Sequence, residues 1–383
     1  MTATHPPHIP PAPPDTIQPG AAQANPAALA ENTTVTPPST PGDTSIQTST
    51  EPAITDGAAI ITPQVQPIQR PTTDQPNKLD VDPPEDPPQR IIALMNQKGG
   101  VGKTTTCTNL GAALARMGQR VLMIDLDPQA HLSLSLGIDP DRIEKSMYDL
   151  LADPATTADQ VVQPVGDDGR LSILPAEVNL AGVEAELADK VVTGAAQAVL
   201  KQKVAMLLGP RSGVSSLSEP DRLDPKPQTP DPPSPDYVLI DCPPSLGLLT
   251  VNALTLASEV IVPMQAHFLA LQGLGKLFET IMMMKRGINP ALKVGGVVLC
   301  MHEGNTILAN EVINDVSSFL TDARGTDVPW ASAIVYHPPI RRNIKLAESP
   351  SFGQSIFDYA PDCHGAKDYA KLAESVATQF VRQ

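Results

Sequence analysis

The chain has 383 residues, of which 41% are hydrophobic and only 3% aromatic, and a formal net charge of −15; the length allows two average domains, or one large α/β domain with a tail. The acidic balance excludes bulk attraction to DNA or to an anionic membrane, so any nucleic-acid contact must come from a local basic patch. Four scattered cysteines with no C-x-x-C pair exclude a disulfide framework and a zinc knuckle, and the lack of a long apolar run or a secretory leader points to a cytoplasmic protein.

Proline divides the chain: 20 of the 42 prolines fall in residues 1–90, and residues 1–89 hold ten acidic and two basic side chains, which is −8 of the −15. Such a segment cannot bury enough apolar surface to offset chain entropy, so residues 1–88 are expected to form a disordered, acidic tail. Residues 89–383 then form the folded domain. Its first element is an apolar strand at 90–97 (RIIALMNQ), followed by a glycine-rich turn and a helix at 102–117 with Leu110, Leu114 and Met117 on one face. A second buried strand covers 120–127 (RVLMIDLD). A second Pro-rich stretch, 210–235, is expected to be a surface insertion, which loops tolerate at small entropic cost. Strands at 237–242 (YVLIDC), 259–264, 294–301 and 332–336 follow, with helical patterns between them. Strands alternating with helices predict an α/β fold with a doubly wound, mostly parallel sheet, whose ligand belongs at the carboxyl ends of the strands.

The turn after the first strand reads Lys98, Gly99, Gly100, Val101, Gly102, Lys103, Thr104, Thr105. It fits the phosphate-loop pattern G-x-x-x-x-G-K-[ST] once Lys98 replaces the first glycine. Glycines let backbone amides approach anionic oxygens, and the helix that follows directs its N-terminal amides at the same place. Lys103 is expected to reach the terminal phosphates of ATP, and the Thr104 hydroxyl to ligate Mg²⁺. A triphosphate site also needs carboxylates for the metal and the attacking water. Asp125 and Asp127 close the second strand, where positions two apart point the same way, and Asp241 closes the strand at 237–242 in the hydrophobic-then-acid pattern of a Walker B strand.

KGGVGKTT, DLDPQ and DCPPSLG together resemble the deviant Walker A ATPases of the MinD/ParA superfamily, in the ParA/Soj branch. Further matches are PAEVNLAGVEAEL (175–187), ALQGLGKL (270–277) and RRNIKLAESPSFGQSI (341–356), so the resemblance runs from Arg90 to the C-terminus. It implies that Lys98 is a signature lysine crossing a homodimer interface to the partner's nucleotide, and that Asp127 positions water. Asp125 and Asp241 match acids near Mg²⁺, and Asn343 matches a contact to adenine. The implied cycle is ATP-driven dimerisation, nonspecific DNA binding on the nucleoid, and hydrolysis stimulated by a ParB-like centromere-binding partner. DNA contact falls to Arg341, Arg342 and Lys345, since Asn305 stands where the family commonly has an arginine; Gln272 replaces a usual glutamate.

Other features are expected to be structural. Met282–Met284 and the final helical pattern at 366–381 read as core packing rather than as a membrane anchor, and the histidines show no metal-ligand spacing. The competing functions are a membrane-positioned regulator of the MinD kind, an iron–sulfur electron donor and a non-hydrolysing scaffold. They lack, respectively, a basic amphipathic tail, cluster cysteines, and a reason to keep Lys98 and Asp127.

Overall fold

Short runs of Val, Ile and Leu bounded by turn residues become the strands of a central sheet. In chain order these are β1 (Arg90–Leu94), β2 (Val121–Asp125), β3 (Gln163–Val165), β4 (Leu171–Leu174), β5 (Tyr237–Asp241), β6 (Glu259–Gln265), β7 (Lys293–Cys300) and β8 (Ile334–Val335). The computed structural model describes residues 88–191, 194–209, 234–267, 270–304 and 307–379, all within the compact unit Asp80–Gln383. The expected tail at 1–88, except its last residue, and the expected insertion, except Ser234 and Pro235, lie outside the described residues, as does Asn305.

The strand order is β3-β4-β2-β5-β1-β6-β7-β8. All pairings are parallel except that of β3 with β4. The expected mostly parallel, doubly wound sheet is therefore observed. Burial on both faces explains why the strands read as continuous apolar runs rather than as alternations. Alternate residues of one strand feed opposite layers: Ile91 and Ala93 of β1 join Leu122, Ile124, Val238 and Ile240 in one apolar cluster, while Ile92 and Leu94 join Val121, Met123 and Leu239 in the other.

Helices cover both faces. Lys103–Arg116 and His364–Gln379 lie together on one side. Leu248–Leu256, Ala270–Gly287 and Ile307–Asp322 are on the other. The final helix buries Tyr369, Leu372, Ala373 and Val376, which is core docking. Of the three consecutive methionines only Met284 is buried; Met283 is exposed. Strands β3 and β4 are additional to those expected, and β2 ends at Asp125, two residues short of its expected end. Val121 to Asp125 pair in register with Tyr237 to Asp241, so Asp125 and Asp241 are direct neighbours at the carboxyl edge.

At the opposite end of the sheet, Arg90 Nη2 donates to both carboxylate oxygens of Glu259, at 2.8 and 2.7 Å. Arg90 Nη1 donates to the carbonyl of Val376, which ties the last helix to the sheet. Both side chains are buried.

Candidate functional site: a phosphate loop facing buried aspartates

The turn between β1 and the helix at Lys103 can form because Gly100 and Gly102 take left-handed backbone conformations, with φ of 70° and 94°. A Cβ at Gly102 would also meet Cys300 Cβ and Sγ at 3.3 Å, so the loop rests on the end of β7. Val101 is buried and anchors the turn. Gly99, Gly100, Gly102, Lys103, Thr104 and Thr105 wall a cleft of about 1200 Å³, which Asp127 also lines. Lys103 is buried, and its Nζ donates to the Lys98 carbonyl at 3.3 Å.

Lys98 itself is not part of the cleft wall. Its ammonium turns to the neighbouring surface and donates to His267 Nε2 at 2.6 Å. The one lysine that the resemblance assigns to a partner's nucleotide is thus the one directed away from its own.

The floor of the site is electrostatically unusual. Asp125 and Asp241 are both fully buried. Thr104 Oγ1 donates to Asp241 Oδ2 at 2.6 Å, while Asp241 Oδ1 is buried with no hydrogen-bond partner. Burial, and then the adjacent Asp125, push the Asp241 carboxyl well above the usual carboxylate range. Burial likewise raises Asp125 to about 6, against the pull of hydrogen bonds from Ser133 and from the Asp127 amide. An acid beside the phosphate loop with one buried, orphaned oxygen fits a cation. Among the described residues no group of three or more His, Cys, Asp or Glu side chains could hold a metal by itself.

Asp127 differs from its neighbour. The strand stops at Asp125, so alternation along a strand does not place Asp127; a loop does. Its carboxylate lies at the cleft wall, and its Oδ1 accepts the Gln129 amide at 3.0 Å.

Asn343 caps the helix Ile344–Glu348, and its side chain accepts the Lys345 amide at 2.9 Å. It lines a second cavity of about 380 Å³, which shares Gly102, Thr105 and Met301 with the phosphate cleft. The three expected DNA-contacting cations lie nearby, but each has an acidic partner. Arg341 Nη2 donates to the buried Asp368 at 2.6 Å. Arg342 pairs with Glu303 at the surface. Lys345 pairs with Glu348 at 2.7 Å and sits over the Tyr359 ring.

Sequence reasoning missed three contacts that shape the site. Ser133 holds Asp125, through its amide at 2.9 Å and its hydroxyl at 2.8 Å. His267 holds Lys98. Gly137 and Gly353 meet backbone to backbone; a Cβ at Gly353 would lie 2.5 Å from Gly137 Cα. Gly137, Gly353 and Phe352 all line the phosphate cleft, so this contact joins the loop after β2 to the segment that follows Asn343.

Comparison with known proteins places the chain among relatives of known family. The AAA domain family matches residues 89–208 and 234–294, interrupted at the Pro-rich stretch. The sporulation initiation inhibitor protein Soj of Bacillus subtilis is 38% identical over 288 residues, covering 75% of this chain and 98% of that protein. The chromosome partitioning protein ParA of Caulobacter vibrioides is 39% identical over 292 residues, covering 76% and 95%. Among solved structures, cobyrinic acid a,c-diamide synthase from Mycobacterium smegmatis, with bound ATP analog and magnesium, is 33% identical, with a TM-score of 0.58 and coverage of 76% of this chain and 95% of that one. Identity of this extent over nearly the whole length of the relatives, with the phosphate loop and its aspartates in place, shows that the chain belongs to the ParA/Soj family of partition ATPases within the MinD/ParA superfamily.

Proposed function

We propose that the protein hydrolyses ATP with Mg²⁺ as an ATP-dependent homodimer, binds DNA nonspecifically in that state, and drives chromosome or plasmid partition with a ParB-like partner that stimulates a slow intrinsic rate. The observation that carries this reading is the division of labour between two lysines. Lys103 is buried in the cleft, whereas Lys98, five residues earlier on the same turn, points out of it. A cation delivered by a second copy offsets charge on the transferring phosphoryl group only once two chains have met. Dimerisation and turnover are thereby coupled.

Within one chain the roles follow from placement. The amides of Gly99–Thr105 and the Lys103 ammonium bind the phosphates at a helix N-terminus. Thr104 and Asp241 are the residues that would hold Mg²⁺, which when bound neutralises phosphate charge. Asp127 orients the attacking water from the cleft wall. The cavity beside Asn343 takes the base. Arg342 and Lys345, paired only with exposed or half-buried acids, are available to exchange those partners for phosphates, while Arg341, bound to buried Asp368, fixes their loop. A membrane-positioning role is disfavoured by the burial of the apolar face of the last helix.

The test is turnover and self-association of the wild type and Lys98→Ala, with and without DNA and a ParB-like partner. Lys98→Ala should keep nucleotide affinity and lose both dimerisation and turnover. Full turnover in that variant would remove the two-chain site.

A further inference from the structure

Asp127 lies beyond the end of β2, so no ladder hydrogen bond fixes it; three local ones do. Its amide donates to Asp125 Oδ1 at 3.1 Å, its carbonyl accepts the Ala130 amide at 2.8 Å, and its Oδ1 accepts the Gln129 amide. The loop closes through Ala130, which adopts a left-handed conformation (φ 53°) without being glycine. Such a residue costs about 1 kcal/mol and persists only where the surroundings over-determine it.

Ser133 supplies that constraint. Its amide and hydroxyl both donate to Asp125 Oδ2, and its hydroxyl oxygen accepts the Ala176 amide, just past β4, at 3.1 Å. The hydroxyl is therefore committed in both directions, and Ser133 and Asp125 are each 0% exposed. Three donors occupy the two oxygens of Asp125.

We propose that Ser133 is a positioning residue for hydrolysis. Through Asp125 it clamps the backbone of Asp127, and Asp125 serves this clamp rather than the metal. The inference rests on the assignment of Asp127 as the acid that orients water. Small displacements of such a group are expensive in rate, since an error of about 1 Å can cost about 100-fold.

The experiment uses the full chain, with Mg²⁺-dependent ATP turnover and the binding of a fluorescent ATP analogue measured in parallel. Ser133→Ala should lower kcat about tenfold or more and leave analogue affinity within about twofold. Ser133→Thr, which keeps the hydroxyl and the amide, should restore turnover. In an Asp127→Ala background Ser133→Ala should cost nothing further, because the two act through one group. Should Ser133→Ala fail to fold, Ser133→Cys keeps the backbone donor and most of the volume and serves in the same comparison. The clamp is overturned if Ser133→Ala turns over normally, if its loss is undiminished in the Asp127→Ala background, or if affinity falls in step with kcat. Normal turnover of Asp127→Ala alone would instead strike the assignment of Asp127, and the clamp with it.

Discussion

The two ends of the sheet bury charge in opposite ways. At the amino end, Arg90 meets both oxygens of Glu259 and the Val376 carbonyl, so the charges compensate one another. At the carboxyl end, Asp125 and Asp241 are neighbours of one sign, and one oxygen has no partner. Burial is the same; compensation is not. A compensated pair fixes structure, whereas an uncompensated one stores electrostatic free energy that a ligand can release. The fold is locked at the end away from the loop, and the end that meets nucleotide is left without a compensating cation.

Removing one partner of the compensated pair should have the largest effect. Glu259→Ala leaves a buried guanidinium without its carboxylate and should destabilise the protein by about 3–5 kcal/mol, read by urea denaturation. If it proves neutral, the amino end is not the lock described here. At the other end the sign should reverse. Asp241→Asn replaces a carboxyl that burial and the adjacent Asp125 make costly to ionise and should stabilise the nucleotide-free protein, while abolishing the added stability that Mg²⁺ with ATP confers on the wild type. A destabilised Asp241→Asn that still responds to Mg²⁺ would show that the pair is not strained.

The same asymmetry should appear in pH. Asp125 is raised from its ordinary 3.8 to about 6, so between these values the folded protein holds a proton that the unfolded chain has released. That contribution to stability is complete below about 4 and is lost as pH rises through about 6, on the order of 1–3 kcal/mol. Denaturation midpoints of nucleotide-free wild type measured against Asp125→Asn should diverge in that window and run parallel above it. The smallest effect belongs to the surface. Arg342→Ala breaks only an exposed pair and should change stability by less than about 0.5 kcal/mol. It should, however, lower the salt dependence of DNA binding by about one unit of slope in a log–log plot.

The compensated end was hidden from the sequence, and the charged end was mostly legible. Lys103, Thr104 and Asp241 sit in local patterns, a glycine turn opening a helix and an apolar run closing on an acid, and such patterns are set by neighbours along the chain. Arg90 and Glu259 lie 169 residues apart, and Arg341 and Asp368 lie 27 apart; nothing local announces either pair. The cluster of cations at 341–345 therefore read as free charge, although each member is paired. Strand β3 escaped because it is three residues with a central proline, and alternation needs a longer run to show. Asp127 lines the cleft, but a loop rather than the pleat of a strand carries it, so alternation along β2 is not what sets its position.

The touching backbones of Gly137 and Gly353 have a mechanical consequence. Where two segments meet through side chains, rotamer changes can absorb a shift of one past the other. Here no such cushion exists, since the space between them is closed even to a methyl group. A displacement of the helix His131–Ser135 must therefore be passed to the turn after Phe352, and so toward the cations on either side of Asn343. Whatever changes the loop that carries Asp127 is transmitted to the basic surface as rigidly as two touching main chains allow.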